Sequence, residues 1–281
     1  MQFLSGCTRG VLGRSVGIQP YFRFPTLGRS THEMSFMIRF VQDGPADGPT
    51  NMARDEAMLA SVGETSAPPT VRMYQWSQPT ISLGYFQRYQ DYETLPPPAG
   101  TLEVVRRMTG GGAILHDWEL TYSIALPLGH DLIRAGAGRL YQIAHDAVIA
   151  SLADLDLHAK RCGVSDDSGA ARGPFFCFER RHCYDVLLGS AKIAGSAQRR
   201  TRHAILQHGS IVLGNRFAQQ PTAFAGEALL EARIEKVRSA FSRHFQNVFG
   251  KTNESGWTTH ERERAEELVR KYQSYEWTRR S

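Results

Sequence analysis

Three consecutive glycines, Gly110 to Gly112, interrupt a stretch that otherwise reads as β-structure, "LEVVRRMTGGGAILHDWELTYSIALP", residues 102 to 127. Before them "LEVVRR" is strand-like; after them Leu120, Tyr122, Ile124 and Leu126 alternate with polar or small residues at the period of a strand. The pattern predicts a hairpin closed by a wide functional loop. A glycine run has no Cβ and permits positive φ, so backbone N–H groups can converge on an anionic or carbonyl oxygen while an apolar chain passes close to the main chain. Arg106 and Arg107 stand immediately before it. No GKS or GKT follows and the GxGxxG spacing is absent, so a nucleotide phosphate is not demanded. A glycine-rich turn with two surface arginines is the plain alternative.

Around this loop the chain reads as one main domain of strands and helices. "NMARDEAMLASV" predicts a helix opening near Thr50, and "VRMYQW" and "TISLGYF" predict two strands flanking "SQP". Leu140, Ile143, Ala144, Ala147, Val148, Leu152 and Leu155 repeat at helical spacing. "SDDSGAARGP" (165 to 174) reads as a loop, and "CYDVLL", "AKIAGSA" and "ILQHGSIVL" as three short strands joined by tight turns, "QRRTRH" (198 to 203) being one turn. Leu230, Ile234, Val237, Phe241, Phe245 and Val248 mark an amphipathic helix, and "ERERAEELVRKYQSYEW" another, so residues 226 to 281 form a small helical C-terminal part. The expected domain runs from 34 to 281, with no large accessory domain.

Residues 1 to 33 are set apart. They carry Arg9, Arg14, Arg23 and Arg29 against Glu33 alone, and end before Met34 and the strand-like "SFMIRFV". They read as a leader, disordered or created by an upstream start choice with Met34 as the natural start, or as a transit-like segment. With +3 of the net charge of +5 carried there and +2 left for the rest, a nucleic-acid partner is not required. No apolar run approaches the roughly 20 residues that span a bilayer, and four cysteines in 281 residues are too few for a disulfide scaffold. A cytoplasmic protein with reduced thiols is expected, or an organellar-matrix one if the leader is a transit peptide.

The stretch "FFCFERRHCYDVLLGSAKIAGSAQRR" (175 to 200) holds Cys177, Cys183 and Lys192. Cys177 between two phenylalanines reads either as buried sulfur or as a nucleophile, and Lys192 as a surface charge or as its electrostatic partner. A metal site built from Cys177, His182, Cys183 and His203 or His208 is a third reading. It is awkward because adjacent residues of a strand point to opposite faces.

"WSQPTISLGYFQ" (76 to 87), "VVRRMTGGGAILHDWELTYSIALP" (104 to 127), "KIAGSAQRRTRHAILQHGSIVL" (192 to 213) and "KYQSYEW" (271 to 277) together resemble the lipoate/biotin protein ligase family, and its lipoate-handling branch in particular. The resemblance runs in order over about residues 35 to 280. It implies an α/β (α+β) fold with a mixed sheet flanked by helices, in which the RRxTGGG loop covers an acyl chain and Lys192, which matches the lysine of K-I-A-G-S-A, lies at the carbonyl end. Cys177 in "FFCFE" stands where the branch's octanoyltransferases carry theirs, so the implied activity is transfer of an octanoyl or lipoyl group from acyl carrier protein, through a Cys177 thioester, to a lipoyl-domain lysine. The chain departs from the family where "RRHCYD" replaces the usual Pro-Ser before the Tyr-Asp pair.

On this reading Cys177 and Lys192 are catalytic. Arg106, Arg107, Thr109, Gly110, Gly111, Gly112 and His116 belong to the substrate site, as do Gly195, Ser196, Ala197, His208 and Gly209, with His116 and His208 as candidate general bases. The resemblance implies acyl carrier protein as donor and lipoyl domains of 2-oxoacid dehydrogenase complexes or the glycine cleavage H protein as acceptors, with no metal, no membrane, no nucleic acid and no required cofactor. The rival readings are an ATP-dependent lipoate ligase, using ATP and Mg, and transfer between protein-bound lysines.

Overall fold

The computed structural model describes residues 37–163, 173–223, 230–249 and 252–280. The expected leader, most of the 165–174 loop and the first residues of the C-terminal part lie outside these. Residues 37–281 form one compact unit. Eleven strands and six α-helices follow in chain order among the described residues.

The main sheet has eight strands in the order β11(Thr252–Glu254), β1(Ile38–Gln42), β2(Thr70–Tyr74), β6(Glu119–Pro127), β10(Ala204–Val212), β9(Ala191–Arg200), β8(Val186–Leu188), β7(Ala159–Arg161). β1 runs parallel to both its neighbours and the remaining pairings are antiparallel, which makes the sheet mixed. β3(Thr80–Leu83), β4(Glu103–Arg106) and β5(Ile114–His116) form a second sheet in the order β4-β3-β5.

The second sheet overturns the expected hairpin. β4 and β5 flank β3 instead of pairing with β6, which lies in the main sheet between β2 and β10. The glycine loop therefore spans the two edges of the small sheet. Strand alternation alone cannot tell a local partner from a distant one.

Both faces of the main sheet are covered. Leu120, Tyr122, Ile124 and Leu126 of β6 join the core beneath α3(Ala137–Ala153) and α4(Leu230–Phe249). On α4, Ile234, Val237, Phe241 and Phe245 form the apolar stripe, each side chain contributing about 2 kcal/mol by burial. The alternate set of β6, Glu119, Thr121 and Ser123, is equally buried. It faces α1(Gly48–Gly63), whose Asp55 accepts the Ser123 hydroxyl at 2.7 Å. α1 opens slightly before Thr50, because the Asp47 side chain accepts from the Thr50 N–H at 2.9 Å and caps it.

The remaining short elements are α2(Tyr89–Glu93), α5(Thr259–Gln273) and α6(Tyr275–Thr278). α5 begins with a Thr258–Glu261 capping box, and the Glu261 carboxylate also takes the Arg39 guanidinium of β1 in a buried bidentate pair. Two boundaries differ from expectation. "AKIAGSAQRR" is one unbroken strand, so only residues 201 to 203 form the turn to β10, and His182 to Asp185 lie in a turn before β8.

Candidate active site

A narrow cavity lies between the main sheet and the small sheet, about 500 Å³ counted out to its open mouth. Its walls come from sequence-distant pieces, including Arg107, Gly111 and His116 beside the small sheet, Cys177 and Phe178, and residues of β9 and β10. Three segments are knitted over it by backbone hydrogen bonds. Tyr85 N–H donates to Thr109 O at 2.8 Å, Ala113 N–H to Phe175 O at 2.9 Å, and Cys177 N–H to Ala113 O at 2.7 Å.

This contact explains the last glycine. A Cβ on Gly112 would sit 2.9 Å from Cys177 N and 3.0 Å from Cys177 Cα. Gly111 has φ of 95°, open to glycine and costly for other residues. Arg107 holds the loop from inside, donating to the carbonyls of Gly110 at 2.8 Å, Gly112 at 2.7 Å and Ser82 at 2.7 Å. Burial pulls its pKa down to about 10, against the opposing pull of Cys177, which leaves it charged at neutral pH.

Cys177 and Lys192 meet at this cavity. Lys192 Nζ lies 3.5 Å from Cys177 Sγ and 3.2 Å from its carbonyl oxygen, and 2.8 Å from the Asp185 carboxylate. Burial disfavours the ammonium, but the charges of Cys177 and Asp185 outweigh it and hold its pKa above the ordinary lysine value. Lys192 lies on the same side of the sheet as Cys177 because β9 carries one extra residue against β8: Leu187 pairs with Lys192 and Val186 with Ala194. Such a bulge shifts the alternation by one. Ile193 and Ala194 consequently both enter the helix-covered core, and Lys192 lies over Gly195, where a Cβ would be 2.4 Å from Lys192 Cε.

The other expected site residues divide. Gly195, Ser196, Ala197, His208 and Gly209 line the cavity with Arg107, Gly111 and His116. The Ser196 hydroxyl is engaged with His145 Nε2 of α3 at 2.8 Å, and a Gly209 Cβ would collide with the Tyr122 ring at 2.6 Å. Thr109 hydrogen-bonds His208, and Gly110 lies beside exposed Phe86. Arg106 is a correction. It is fully buried away from the cavity, donating to the carbonyls of Gly84, Tyr85, Gln87, Thr278 and Arg280, and so ties the "LGYFQ" turn to the C-terminus.

Neither candidate base offers a spare nitrogen. His116 bonds Glu119 through Nδ1 and Ser82 through Nε2, each at 2.7 Å, and stacks on Trp76. His208 bonds Asp55 through Nδ1 at 3.0 Å and Thr109 through Nε2 at 2.7 Å. With each Nδ1–H directed at a carboxylate, each Nε2 accepts a hydroxyl, so both rings are positioning groups. Burial pushes His116 below the ordinary histidine range despite Glu119.

Among the described residues, no group of three or more His, Cys, Asp or Glu side chains is placed to hold a metal ion. His182 and Cys183 sit in a turn, so opposite strand faces are not what separates them. No helix among the described residues is long and apolar enough to cross a membrane. Sequence reasoning gave no role to Asp185, Asp55 or Glu119. For Asp55 a signal existed: Asn51 and Asp55 lie four apart on the buried side of α1.

Residues 47–246 match the family described as Lipoyl protein ligase A/B catalytic domain. The chain is 36% identical over 221 residues to Octanoyltransferase LipM of Halalkalibacterium halodurans, covering 77% of this chain and 78% of that protein. It is 33% identical to Octanoyltransferase LipM of Kyrpidia tusciae, covering 86% and 98%. Its backbone matches that of a bi-partite lipoate protein ligase from Thermoplasma acidophilum, studied with its E2 lipoyl domain, at a TM-score of 0.64 and 22% identity, covering 87% and 96%, a likeness of fold. By the match of its family model and its identity to these relatives, this chain belongs to the lipoyl protein ligase A/B catalytic domain family.

Proposed function

We propose that this protein is an octanoyltransferase of protein lipoylation, taking an octanoyl group from acyl carrier protein and passing it, through a thioester on Cys177, to the lysine of a lipoyl domain. The observation that carries the reading is Lys192 Nζ at 3.5 Å from Cys177 Sγ at the edge of a largely apolar cavity. The names of the relatives support the acyl group, and the E2 lipoyl domain of the archaeal ligase supports the class of acceptor.

The Cys177 thiolate, stabilised by the Lys192 ammonium, attacks the donor's thioester carbonyl. The same ammonium faces the developing oxyanion, and Asp185 holds it in place. Collapse expels the carrier thiolate, which takes up the proton that Cys177 released. In the second half, a neutral lysine amine attacks the Cys177 thioester. An amide forms, the carbon–sulfur bond breaks, and the amine's proton returns to the Cys177 sulfur. The acyl chain and charge balance without ATP or a metal.

The test is intact-protein mass spectrometry after mixing with octanoyl-acyl carrier protein in the absence of ATP. The wild type is expected to gain one octanoyl group that added lipoyl domain discharges, and Cys177→Ala to gain none. Lipoyl-domain modification that needs ATP and free lipoate or octanoate, and persists in Cys177→Ala, would instead establish the ligase reading.

A further inference from the structure

The two ends of the glycine loop meet different surroundings. Gly112 lies against the Cys177 backbone, whereas a Cβ on Gly110 would meet only the ring of Phe86, at 3.8 Å. Phe86 is 80% exposed, the highest value among the large apolar side chains of the described residues. A single exposed apolar ring is ordinary on a protein surface, but this one stands among other rings and arginines. Tyr85 packs edge-on against Phe86 with ring centroids 4.9 Å apart, and edge-on against Trp277 of α6 at 5.9 Å. Arg280 Cζ lies 4.2 Å and Arg199 Cζ 5.3 Å from the Tyr85 ring centroid.

The charge at this surface is unmatched. Among the described residues, Arg88 and Arg279 are answered by Asp91 and Glu93, but Arg199, Arg200, Arg202 and Arg280 form no ion pair with a carboxylate. Arg199, Arg200 and Arg202 are exposed, and the last two carry the charge into the turn before β10. Against these four charges stands Glu276, exposed on α6 next to Trp277. Aromatic rings with unspent arginines are the composition of a protein-binding surface. With only +2 of net charge outside residues 1 to 33, a protein with an acidic face is favoured over a nucleic acid.

Range separates the two protein partners. Arg199 is four residues along β9 from Gly195, over which Lys192 lies, and so stands about 13 Å from the reacting groups. A lysine side chain reaches about 6 Å from its Cα, so an acceptor domain must come up to Cys177 itself. A donor that carries its acyl thioester on a long flexible arm can dock at the greater range. We propose that Phe86, Arg199 and Arg280 form the docking surface for an acidic face of the acyl-donor carrier protein, separate from the contact made by the acceptor domain. The surface rests on the acyl-transfer reading for its partner.

Arg199→Glu and Arg280→Glu are combined in one variant, because neither residue lines the cavity and the Arg280 carbonyl that Arg106 uses belongs to the backbone. Acylation of Cys177 by octanoyl-acyl carrier protein is read by intact mass beside acylation by octanoyl-pantetheine, which has the thioester and no protein surface. The double variant is expected to lose at least about tenfold in kcat/KM with the carrier protein, mainly through KM, and to keep the wild-type rate with octanoyl-pantetheine and the wild-type discharge to a lipoyl domain. Salt at about 0.5 M is expected to remove most of the wild type's advantage. Thermal melting identifies the folded variants, and Arg199→Gln with Arg280→Gln supplies a milder pair if the charge reversal does not fold. Equal loss with both donors, no loss with the carrier protein, or a loss confined to discharge overturns the surface. Random duplex DNA held through the same arginines, with no binding of the carrier protein, overturns it as well. If neither donor loads the wild type, the transferase reading fails on its own, and calorimetric titration of the carrier protein still decides: binding that the double variant loses upholds the surface, and equal binding or none overturns it.

Discussion

Lys192 reaches Cys177 over a residue with no side chain, and this gives Gly195 a specific task. An alanine Cβ there would lie 2.4 Å from Lys192 Cε and 2.8 Å from Nζ, so the flexible end of the lysine must move while the backbone can stay. Gly195→Ala is expected to fold with little change in melting temperature and to slow acylation of Cys177 by on the order of 100-fold, the scale of a displacement of about 1 Å at a reacting centre. Stopped acylation reactions sampled by mass spectrometry check this, and an unchanged rate would remove Lys192 placement from the mechanism. At this scale the sequence was informative where residue type carries the chemistry. Cys177, Lys192 and the glycine run could be named as candidates, the first two through the family resemblance, and the structure brings Cys177 and Lys192 together. Arg106 and Arg107 were indistinguishable neighbours, and since both are buried only their hydrogen-bond partners separate the one that holds the C-terminus from the one that holds the loop.

Among elements, the attachment of α5 to β1 depends on one buried pair. Arg39 and Glu261 meet at side-chain exposures of 4% and 0%, over 222 positions of sequence separation. Removing one charge strands the other in the interior, so Glu261→Gln is expected to destabilise the protein by about 3 kcal/mol in urea titration. Replacing both together, Arg39→Met with Glu261→Leu, should cost less than the sum of the single changes. The helices themselves were legible from their apolar stripes, as α3 and α4 illustrate. The pairing of β4 and β5 with β3 was not, because alternation states that a strand has two faces and is silent about which strand lies beside it. The same limit hid the role of Thr121 and Ser123: polar positions alternating on β6 look solvent-facing, yet they are buried against α1 and the cavity.

For the molecule as a whole, the buried polar layer beneath the cavity ties stability to pH. Burial lowers the pKa of His145 to about 4, although its bond to the Tyr184 carbonyl and the charge of Asp185 oppose this. Between pH 6.5 and about 4 the unfolded chain binds a proton that the folded protein refuses. Stability present above pH 6.5 is therefore lost as pH falls to about 4, by about 3 kcal/mol for this group. Asp55 and Glu261 act further into acid. Burial alone would raise both, but His208 and Arg72 hold Asp55 below its ordinary value, and Arg39 and Thr258 do the same for Glu261. Their contributions are present above the ordinary carboxylate range and are lost as pH falls through the lowered values. Urea midpoints measured from pH 7 to 4 should fall steeply for the wild type and less steeply for His145→Gln, which removes the titration. Equal slopes would mean that His145 is protonated in the folded protein. The sequence by itself marked the longer elements and the candidate reactive groups, because hydrophobic period, glycine content and side-chain chemistry are local properties. Tertiary structure decided which face Lys192 occupies, through one bulged residue in β9, and which strand β4 and β5 lie beside, through their pairing with β3. Both depend on inter-strand register, which is set by packing of the whole sheet and is carried by no single segment of the chain.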